Sequence, residues 1–368
     1  MSILDELTGL EIKEDIVVEL KNETLPLVMW GIGELATEII AYLQENYINI
    51  DDIFVDENYY REHIVFHNFQ VHTYEYIQRK YETFNIIIGH SNYEKAAIME
   101  KRKEINKVFC LFSVNYNVFT KTSIEDIIAH SDEFEKVYDL FEDDESKNNY
   151  LALLKTRISG NVKYVLDVFK HEMNFFNNDV FVVSEQECYM DIGAYDGDTI
   201  RLFLQECHGK YDYIYALEPD EKNREKLEKY IKEQDLKNVI VTDKGAWKEK
   251  DTLRFLSNNE QISSVANQQD EENDVLIYAE PIDTMFAYAK KVTLLKINYL
   301  SGVEEALLGG GQHILREHMP KLAITVGFNC ENIRIIPQLI KEINPQYKLY
   351  LRYNRGMVSS LTLYATVL

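Results

Sequence analysis

Apolar runs of strand length alternate with stretches of helical period in the first third of the chain. The run 25–30 ends at a Gly31-Ile32-Gly33 turn, a segment with helical spacing of apolar residues follows, and residues 50–56 form another strand-like run. Further strands are predicted at 84–89 and 108–112, with helical stretches around 74–82 and 92–106. This alternation predicts a small parallel sheet with both faces covered by helices.

The segment from Ser123 to Phe176 has a different character. It is acidic, has helical period and contains few turn-forming residues, as in IEDIIAH, EFEKVYDLF and SKNNYLALLKTRI. We therefore predict a helical bridge at 121–180. It joins an N-terminal domain at 1–120 to a second domain at 181–368.

A second, longer α/β series begins near residue 187. The final two strands follow one another without a helix, and adjacent strands of a hairpin cannot run parallel. We predict an α/β protein in which a mostly parallel, Rossmann-like, seven-stranded sheet ends in an antiparallel hairpin, beside a smaller N-terminal Rossmann-like domain. The predicted strands are 187–193, 211–219, 238–243, 292–298, 321–327, 347–353 and 361–367, with a hairpin strand at 252–257 and helices after Asp198 and at 221–233, 303–316 and 332–342.

Charge and cysteine content narrow the classes of partner. The chain carries 62 Asp and Glu against 39 Lys and Arg, a formal charge of −23, which disfavours nucleic acid and anionic membranes as partners. The four cysteines form no CxxC pair, so no disulfide framework or metal site is predicted. The first residues are acidic and no apolar run reaches membrane-spanning length. We therefore expect a cytoplasmic protein.

The strongest chemical signal is the segment DIGAYDGDT at 191–199, where an apolar strand gives way to a helix. Gly193 and Gly197 allow the backbone to approach a ligand closely, and the helix start offers unpaired N–H groups. Three aspartates would repel a pyrophosphate and favour a ligand with a cationic end. The candidate cofactor residues in this segment are Asp191, Gly193, Ala194, Tyr195, Asp196, Gly197 and Thr199.

Two further acids follow on the next two predicted strands. Glu218, followed by Pro219, lies at a strand end about 25 residues after Gly193, where a carboxylate can accept both hydroxyls of a ribose. Asp243 follows the third strand, at a position suited to the edge of an adenine. Together, the acidic glycine turn and these two acids predict a pocket for S-adenosylmethionine, whose ammonium and sulfonium groups are cationic.

From about Glu135 to its end, the chain resembles the FkbM family of methyltransferases. The segments that carry the resemblance are DIGAYDGDT, ALEPD, GAWKEKDTLRF, EPIDTM and NPQYKLYLRY. The resemblance implies the class I methyltransferase fold and methyl transfer from S-adenosylmethionine to a hydroxyl, commonly on a sugar or another secondary metabolite. It assigns cofactor binding to Asp191, Gly193, Gly197, Glu218 and Asp243.

The chain departs from the family pattern where catalysis is expected. Family members usually carry Lys-x-Asp-x-Glu-Gly after the fourth strand and a Tyr-His pair after the fifth. Here the first stretch reads Lys296-Ile297-Asn298-Tyr299-Leu300-Ser301, and Gly327-Phe328 stands at the second. Asn298 is therefore the candidate catalytic position, and a cofactor-binding protein with lost or altered chemistry stays an alternative.

A second glycine motif lies in the N-terminal series. WGIGELA at 30–36 joins a strand to a helix, and Asp56 ends the next strand, a spacing that fits a nucleotide site of Rossmann type. Gly31, Gly33 and Asp56 are the candidate residues, although such turns also serve purely to pack a helix. A nucleotide-dependent oxidoreductase that uses this turn is a weaker alternative, because no clear proton relay accompanies it.

Overall fold

The computed structural model divides the chain into two compact units. The first comprises Met1–Glu135, Asn148–Lys170 and Arg355–Val358, and the second comprises Lys136–Lys147, His171–Asn354 and Ser359–Leu368. The structure describes residues 3–7, 16–90, 96–111, 124–170, 174–176, 178–256, 264–265, 274–287, 290–298, 302–328, 330–355 and 358–367.

The first unit contains a six-stranded sheet with the order β3-β4-β2-β1-β5-β6. All neighbouring strands run parallel except β3 and β4, which form a hairpin. The strands are β1 (Leu27–Trp30), β2 (Asp52–Val55), β3 (Val65–Phe66), β4 (Phe69–Thr73), β5 (Phe84–Ile88) and β6 (Ile105–Phe109). The helices are α1 (Ile3–Leu7), α2 (Ile16–Asn22), α3 (Glu34–Glu45), α4 (Tyr74–Lys80) and α5 (Ala96–Met99).

Two features of this sheet differ from the prediction. The β3–β4 hairpin was not predicted, because its turn uses His67 and Asn68, both with positive φ, in place of the usual glycine. Strand β6 begins at Ile105, inside a predicted helical stretch, and its ends Ile105 and Phe109 are buried. Pairing with β5 therefore overrides the helical spacing of this segment.

The acidic middle segment is helical as far as Val168, whereas the described residues between 174 and 180, inside the predicted bridge, are not helical. It forms α6 (Ile124–Ala129), α7 (Ser131–Asp139), α8 (Asp144–Ser159) and α9 (Lys163–Val168). Residues 136–147 group with the second unit and 148–170 with the first, so the division between units runs through α8.

The second unit is built on a seven-stranded sheet with the order β16-β17-β15-β14-β7-β8-β9. Strand β17 runs antiparallel to both of its neighbours and the other pairs are parallel, which confirms the predicted sheet and its terminal hairpin. The strands are β7 (Cys188–Ile192), β8 (Tyr213–Leu217), β9 (Val239–Thr242), β14 (Leu294–Ile297), β15 (Lys321–Thr325), β16 (Lys348–Tyr353) and β17 (Leu361–Thr366).

A smaller sheet with the order β10-β13-β11-β12 accompanies it. Its strands are β10 (Gly245–Ala246), β11 (Asp251–Leu256), β12 (Ser264–Val265) and β13 (Asp274–Glu280). The predicted hairpin strand is β11, but its longest pairing is with β13, which was not predicted. In β13 the outward residues Leu276 and Tyr278 are as apolar as the buried Ile277 and Ala279, which hides the alternation typical of a strand.

Helices join the strands of the large sheet. They are α10 (Asp198–Glu206), α11 (Glu221–Glu233), α12 (Ile282–Met285), α13 (Val303–Leu308) and α14 (Cys330–Ile343), with a π-helical turn at Ile314–His318 and a 3-10 turn at Val358–Ser360. The single helix predicted at 303–316 is interrupted by Gly309–Gly311. A Cβ on Gly310 would lie 2.5 Å from the Trp247 carbonyl oxygen, so this approach requires glycine. In the part of the chain that the structure describes, no helix combines the length and apolar character needed to cross a bilayer.

Candidate functional site

The glycine turn of the second unit, residues 193–197, leaves the carboxyl end of the central strand β7 and leads into α10. Gly193, Tyr195 and Gly197 all have positive φ, and Gly197 is the residue that precedes the helix. A Cβ on Gly197 would lie 3.0 Å from a methyl carbon of Leu227. Both the conformation and the packing therefore favour glycine at this position, and they bring the backbone to the open edge of the sheet.

A buried lysine on the adjacent strand holds this turn. The Lys296 ammonium donates to Asp191 Oδ1 at 2.8 Å and to the Gly193 carbonyl oxygen at 2.7 Å. Its Nζ lies 3.4 Å from Thr199 Oγ1, and the Thr199 hydroxyl donates to Asp191 Oδ2 at 2.7 Å. The side chains of Lys296 and Asp191 are 1% and 0% exposed. This cluster joins the end of β7, the turn and the first turn of α10, although its members are up to 105 residues apart.

The turn carries less uncompensated negative charge than its sequence indicates. Asp191 is neutralised by Lys296, and Asp196 pairs with Arg201 at 2.7 Å. Asp198 is exposed and accepts a hydrogen bond from the Thr199 N–H at 2.7 Å. The turn therefore offers a cationic ligand fewer free carboxylates than the three aspartates of the motif indicate.

Glu218 lies at the end of the neighbouring strand β8, as expected for a group that binds a ribose. It is 6% exposed, and its two oxygens accept from the Tyr195 N–H at 2.7 Å and the Asp220 N–H at 2.9 Å. Burial raises the pKa of Glu218 to about 7, against the lowering effect of these two N–H donors. A small change of pH near neutrality therefore changes the charge of this group.

The strand registers place the other predicted residues at the same edge. Ile192 of β7 is paired with Leu217 of β8 and Ile297 of β14, so the next residues, Gly193, Glu218 and Asn298, lie at one level. Asn298 is half-buried and its N–H donates to the Ile192 carbonyl at 3.2 Å. Leu300 lies outside the described residues.

The remaining cofactor candidates surround this row. Asp243 is exposed and follows Thr242, whose carbonyl accepts the Glu218 N–H at 3.1 Å. Ala194 is buried, and its N–H and that of Gly193 both donate to the Leu217 carbonyl at 3.0 Å. Pro219 is half-buried, and its carbonyl accepts from Arg224 at 3.1 Å.

Sequence reasoning missed two polar residues of this edge. Lys296 is the first residue of the stretch compared with the family's Lys-x-Asp-x-Glu-Gly motif, but its pairing with Asp191 follows only from the register of β14 and β7. Thr325 lies at the end of β15, at the level of Asn298; it is 2% exposed and its hydroxyl makes no hydrogen bond to the described residues. A polar residue ending a predicted buried strand was the available signal.

The N-terminal motif forms a different kind of turn. Gly31 has φ +121°, and a Cβ there would lie 2.8 Å from the Gly89 carbonyl oxygen, whereas a Cβ on Gly33 would meet nothing within 4 Å. Asp56 Oδ1 accepts from the indole N–H of Trp30 at 3.1 Å. Gly31 thus serves close backbone packing, and the predicted ribose acid is already hydrogen-bonded within the unit.

A known structure shares this fold, although no protein-family model and no curated protein matches the sequence. An FkbM methyltransferase from Methylobacillus flagellatus KT is 16% identical over 99% of this chain and 97% of that chain, with a TM-score of 0.73. Two more matches are an rRNA methylase from Streptococcus thermophilus (13% identity, 50% and 89% coverage, TM-score 0.33) and a SAM-dependent methyltransferase from Aquifex aeolicus (13%, 64% and 98%, 0.26). Over almost its whole length, this chain therefore has the fold of the FkbM methyltransferase.

Proposed function

We propose that the protein is an S-adenosylmethionine-dependent methyltransferase. The observation that carries this proposal lies at the carboxyl edge of the large sheet, the side where its parallel strands end. There the Gly193–Gly197 turn and Glu218 lie side by side at the ends of adjacent strands. In open α/β sheets, ligands bind outside the carboxyl ends of the strands. The whole-chain likeness to a structure described as a methyltransferase supports the same assignment.

The chain's own groups divide the work of binding. The Glu218 carboxylate would accept hydrogen bonds from the ribose hydroxyls, and Asp243, exposed beside it, would face the adenine. The backbone of the 193–197 turn would line the methionine portion. S-adenosylmethionine, when bound, supplies an electrophilic methyl group on a sulfonium. Positioning an acceptor oxygen against that methyl group contributes about 7 to 11 kcal/mol to such reactions.

We further propose that the acceptor is a hydroxyl, on a saccharide or a similar metabolite, and that Asn298 lies beside it. Asn298 follows β14 at the level of Gly193, so it is placed next to the turn. An asparagine takes up no proton at neutral pH, and general-base assistance is worth about 10² to 10⁴ in rate. The rate of methyl transfer would then depend on how well the acceptor oxygen is positioned. The alternative that Asn298 favours is a protein that binds the cofactor but has lost or altered chemistry.

The N-terminal turn has weaker support as a nucleotide site. Asp56 already accepts from Trp30, and Gly31 packs against Gly89, which favours a structural role for this turn. A nucleotide at Gly31, Gly33 and Asp56 would have to compete with the Trp30 contact.

Calorimetric titration of the whole protein with S-adenosylmethionine, S-adenosylhomocysteine, NAD and a panel of nucleotide sugars tests these assignments. We expect the first two to bind and Glu218→Ala to weaken them. A parent protein that binds neither would refute the proposal, and binding of NAD that is lost in Asp56→Ala would favour the oxidoreductase alternative.

A further inference from the structure

Two lysine–carboxylate clusters lie at opposite ends of the parallel strands of the seven-stranded sheet, and the carboxylate of each is buried. Lys296 pairs with Asp191 at the carboxyl edge, beside the glycine turn. Lys321 pairs with Glu187 at the amino edge, where it also donates to the Val182 carbonyl at 2.9 Å. Removing one partner of such a pair leaves an uncompensated charge, so a single substitution in either pair is expected to destabilise the fold.

Only the Lys296 cluster includes a part of the predicted cofactor site. Its ammonium hydrogen-bonds the Gly193 carbonyl at 2.7 Å, which fixes the first peptide of the turn. The same group neutralises Asp191, which Thr199 also bonds. Asp191, with both carboxylate oxygens occupied and no exposed surface, is therefore poorly placed to meet a charged ligand directly.

We propose that Lys296 is the positioning residue for the methionine half of the cofactor site. This inference rests on the proposed function. The ammonium acts through the backbone: it holds the Gly193 carbonyl, and thereby the 193–197 turn, in the geometry that receives the methionine portion. Asp191 holds that ammonium in place through the 2.8 Å contact with its Oδ1. The ribose and adenine side, which depends on Glu218 and Asp243, does not require Lys296.

The test compares two ligands that share the adenosine portion. Titration calorimetry measures S-adenosylhomocysteine, which reaches both halves of the site, and adenosine, which reaches only one. In the double variant Lys296→Met with Asp191→Asn, both charges are removed together, so the fold is expected to survive. We expect S-adenosylhomocysteine to bind about 10 to 100 times more weakly, as for loss of hydrogen bonds to a charged group, and adenosine to bind within about twofold of the parent.

The amino-edge cluster provides a matched control. Lys321→Met with Glu187→Gln removes a lysine–carboxylate pair with a buried carboxylate and a half-buried lysine from the same sheet, remote from the turn. We expect this variant to change the thermal midpoint and to leave the ratio of the two affinities at the parent value. If both double variants lowered both affinities in equal proportion, Lys296 would be a structural residue only, and the proposal would be wrong.

A single variant tests whether Asp191 itself meets the ligand. Asp191→Asn keeps a hydrogen-bond acceptor for Lys296 but leaves its ammonium without a counter-charge, so we expect a lower thermal midpoint, with S-adenosylhomocysteine binding to the folded protein within about threefold of the parent. A loss of tenfold or more, with adenosine unchanged, would identify Asp191 as a direct partner of the ligand and overturn the positioning role. A parent that binds neither ligand would instead refute the proposed function, and the role of Lys296 with it.

Discussion

Each unit presents a glycine turn at the carboxyl end of a central strand, yet the residues around the two turns differ in kind. In the first unit, Trp30 stacks on Phe54 at 5.7 Å and meets His90 edge-on at 4.8 Å. In the second, the turn is held by Lys296, and Glu218 accepts a hydrogen bond from its Tyr195 N–H; both are ionisable side chains from neighbouring strands. The strand–turn–helix arrangement is shared, but the side chains that face it are aromatic in one case and ionisable in the other.

This difference between the two turns shows that a glycine motif alone does not define a ligand site. Glycines permit a backbone to turn and to approach a neighbour, and Gly31 uses this freedom to pack against Gly89. The chemistry of a site comes from the ends of the adjacent strands, as Lys296 and Glu218 show in the second unit. Five experiments test this comparison.

The largest effect is expected at the neighbouring strand β14. If only the absence of a general base limits the reaction, Asn298→Asp with Leu300→Glu should raise the rate of methyl transfer by a factor of up to about 10² to 10⁴. The reason is that a carboxylate can take the proton of the acceptor hydroxyl. Radiolabelled methyl transfer to a mixed glycan and metabolite extract measures this. A parent with robust turnover that the double variant abolishes would show that these residues form an altered acceptor site.

The acids that follow the turns provide the second test. Glu218→Ala removes a charged acceptor from the ribose hydroxyls and should cost about 1.5 to 3 kcal/mol, or one to two decades of S-adenosylhomocysteine affinity. Asp56→Ala, the matched change in the first unit, should leave that affinity unchanged. Calorimetric titration measures both, and equal affinities for the parent and the Glu218 variant would contradict the assigned site.

Packing at the first turn should appear in stability. Gly31→Ala places a Cβ 2.8 Å from a backbone oxygen at φ +121°, and we expect a loss of about 1 to 3 kcal/mol in the free energy of unfolding. Gly33→Ala, where a Cβ has open space, should stay within about 0.5 kcal/mol. Chemical denaturation compares the two. Similar midpoints would show that Gly31 is not required for packing.

The smallest effect is a pH dependence. Burial raises the pKa of Glu218 from 4.5 to about 7, so this group is protonated in part at neutral pH. Ribose hydroxyls donate best to a carboxylate, and the ionised fraction of a group with a pKa of about 7 falls about fivefold from pH 7 to pH 6, so S-adenosylhomocysteine affinity should fall by about the same factor. Titrations at pH 6, 7 and 8 measure this, and Glu218→Gln should remove the dependence.

The same raised pKa affects folding with the opposite sign. Between pH 4.5 and 7, the unfolded chain releases the Glu218 proton while the folded protein keeps it. The contribution of this group to the free energy of unfolding therefore falls as pH rises through that range and levels off above 7. A parent and a Glu218→Gln variant with the same pH profile of stability would contradict the buried, titrating carboxyl.

Local pattern in the sequence was sufficient for much of the second unit. The apolar runs and the DIGAYDGDT turn predicted the seven strands, the start of α10 and one antiparallel strand in the final hairpin, because strand period and glycine turns are properties of short segments. The same reasoning missed β13, whose two faces are equally apolar, and the β3–β4 hairpin, whose turn lacks glycine.

The sequence by itself determined which segments form strands, turns and helices around the candidate site, and it placed Glu218 at a strand end. Only the tertiary structure decided that Lys296 meets Asp191, that Asp56 is bound by Trp30, and that Glu218 is buried enough for its pKa to reach about 7. These outcomes depend on the register between strands and on burial among distant segments. Neither is encoded in the spacing of residues along one segment, so the charge of the turn could not be predicted from its three aspartates.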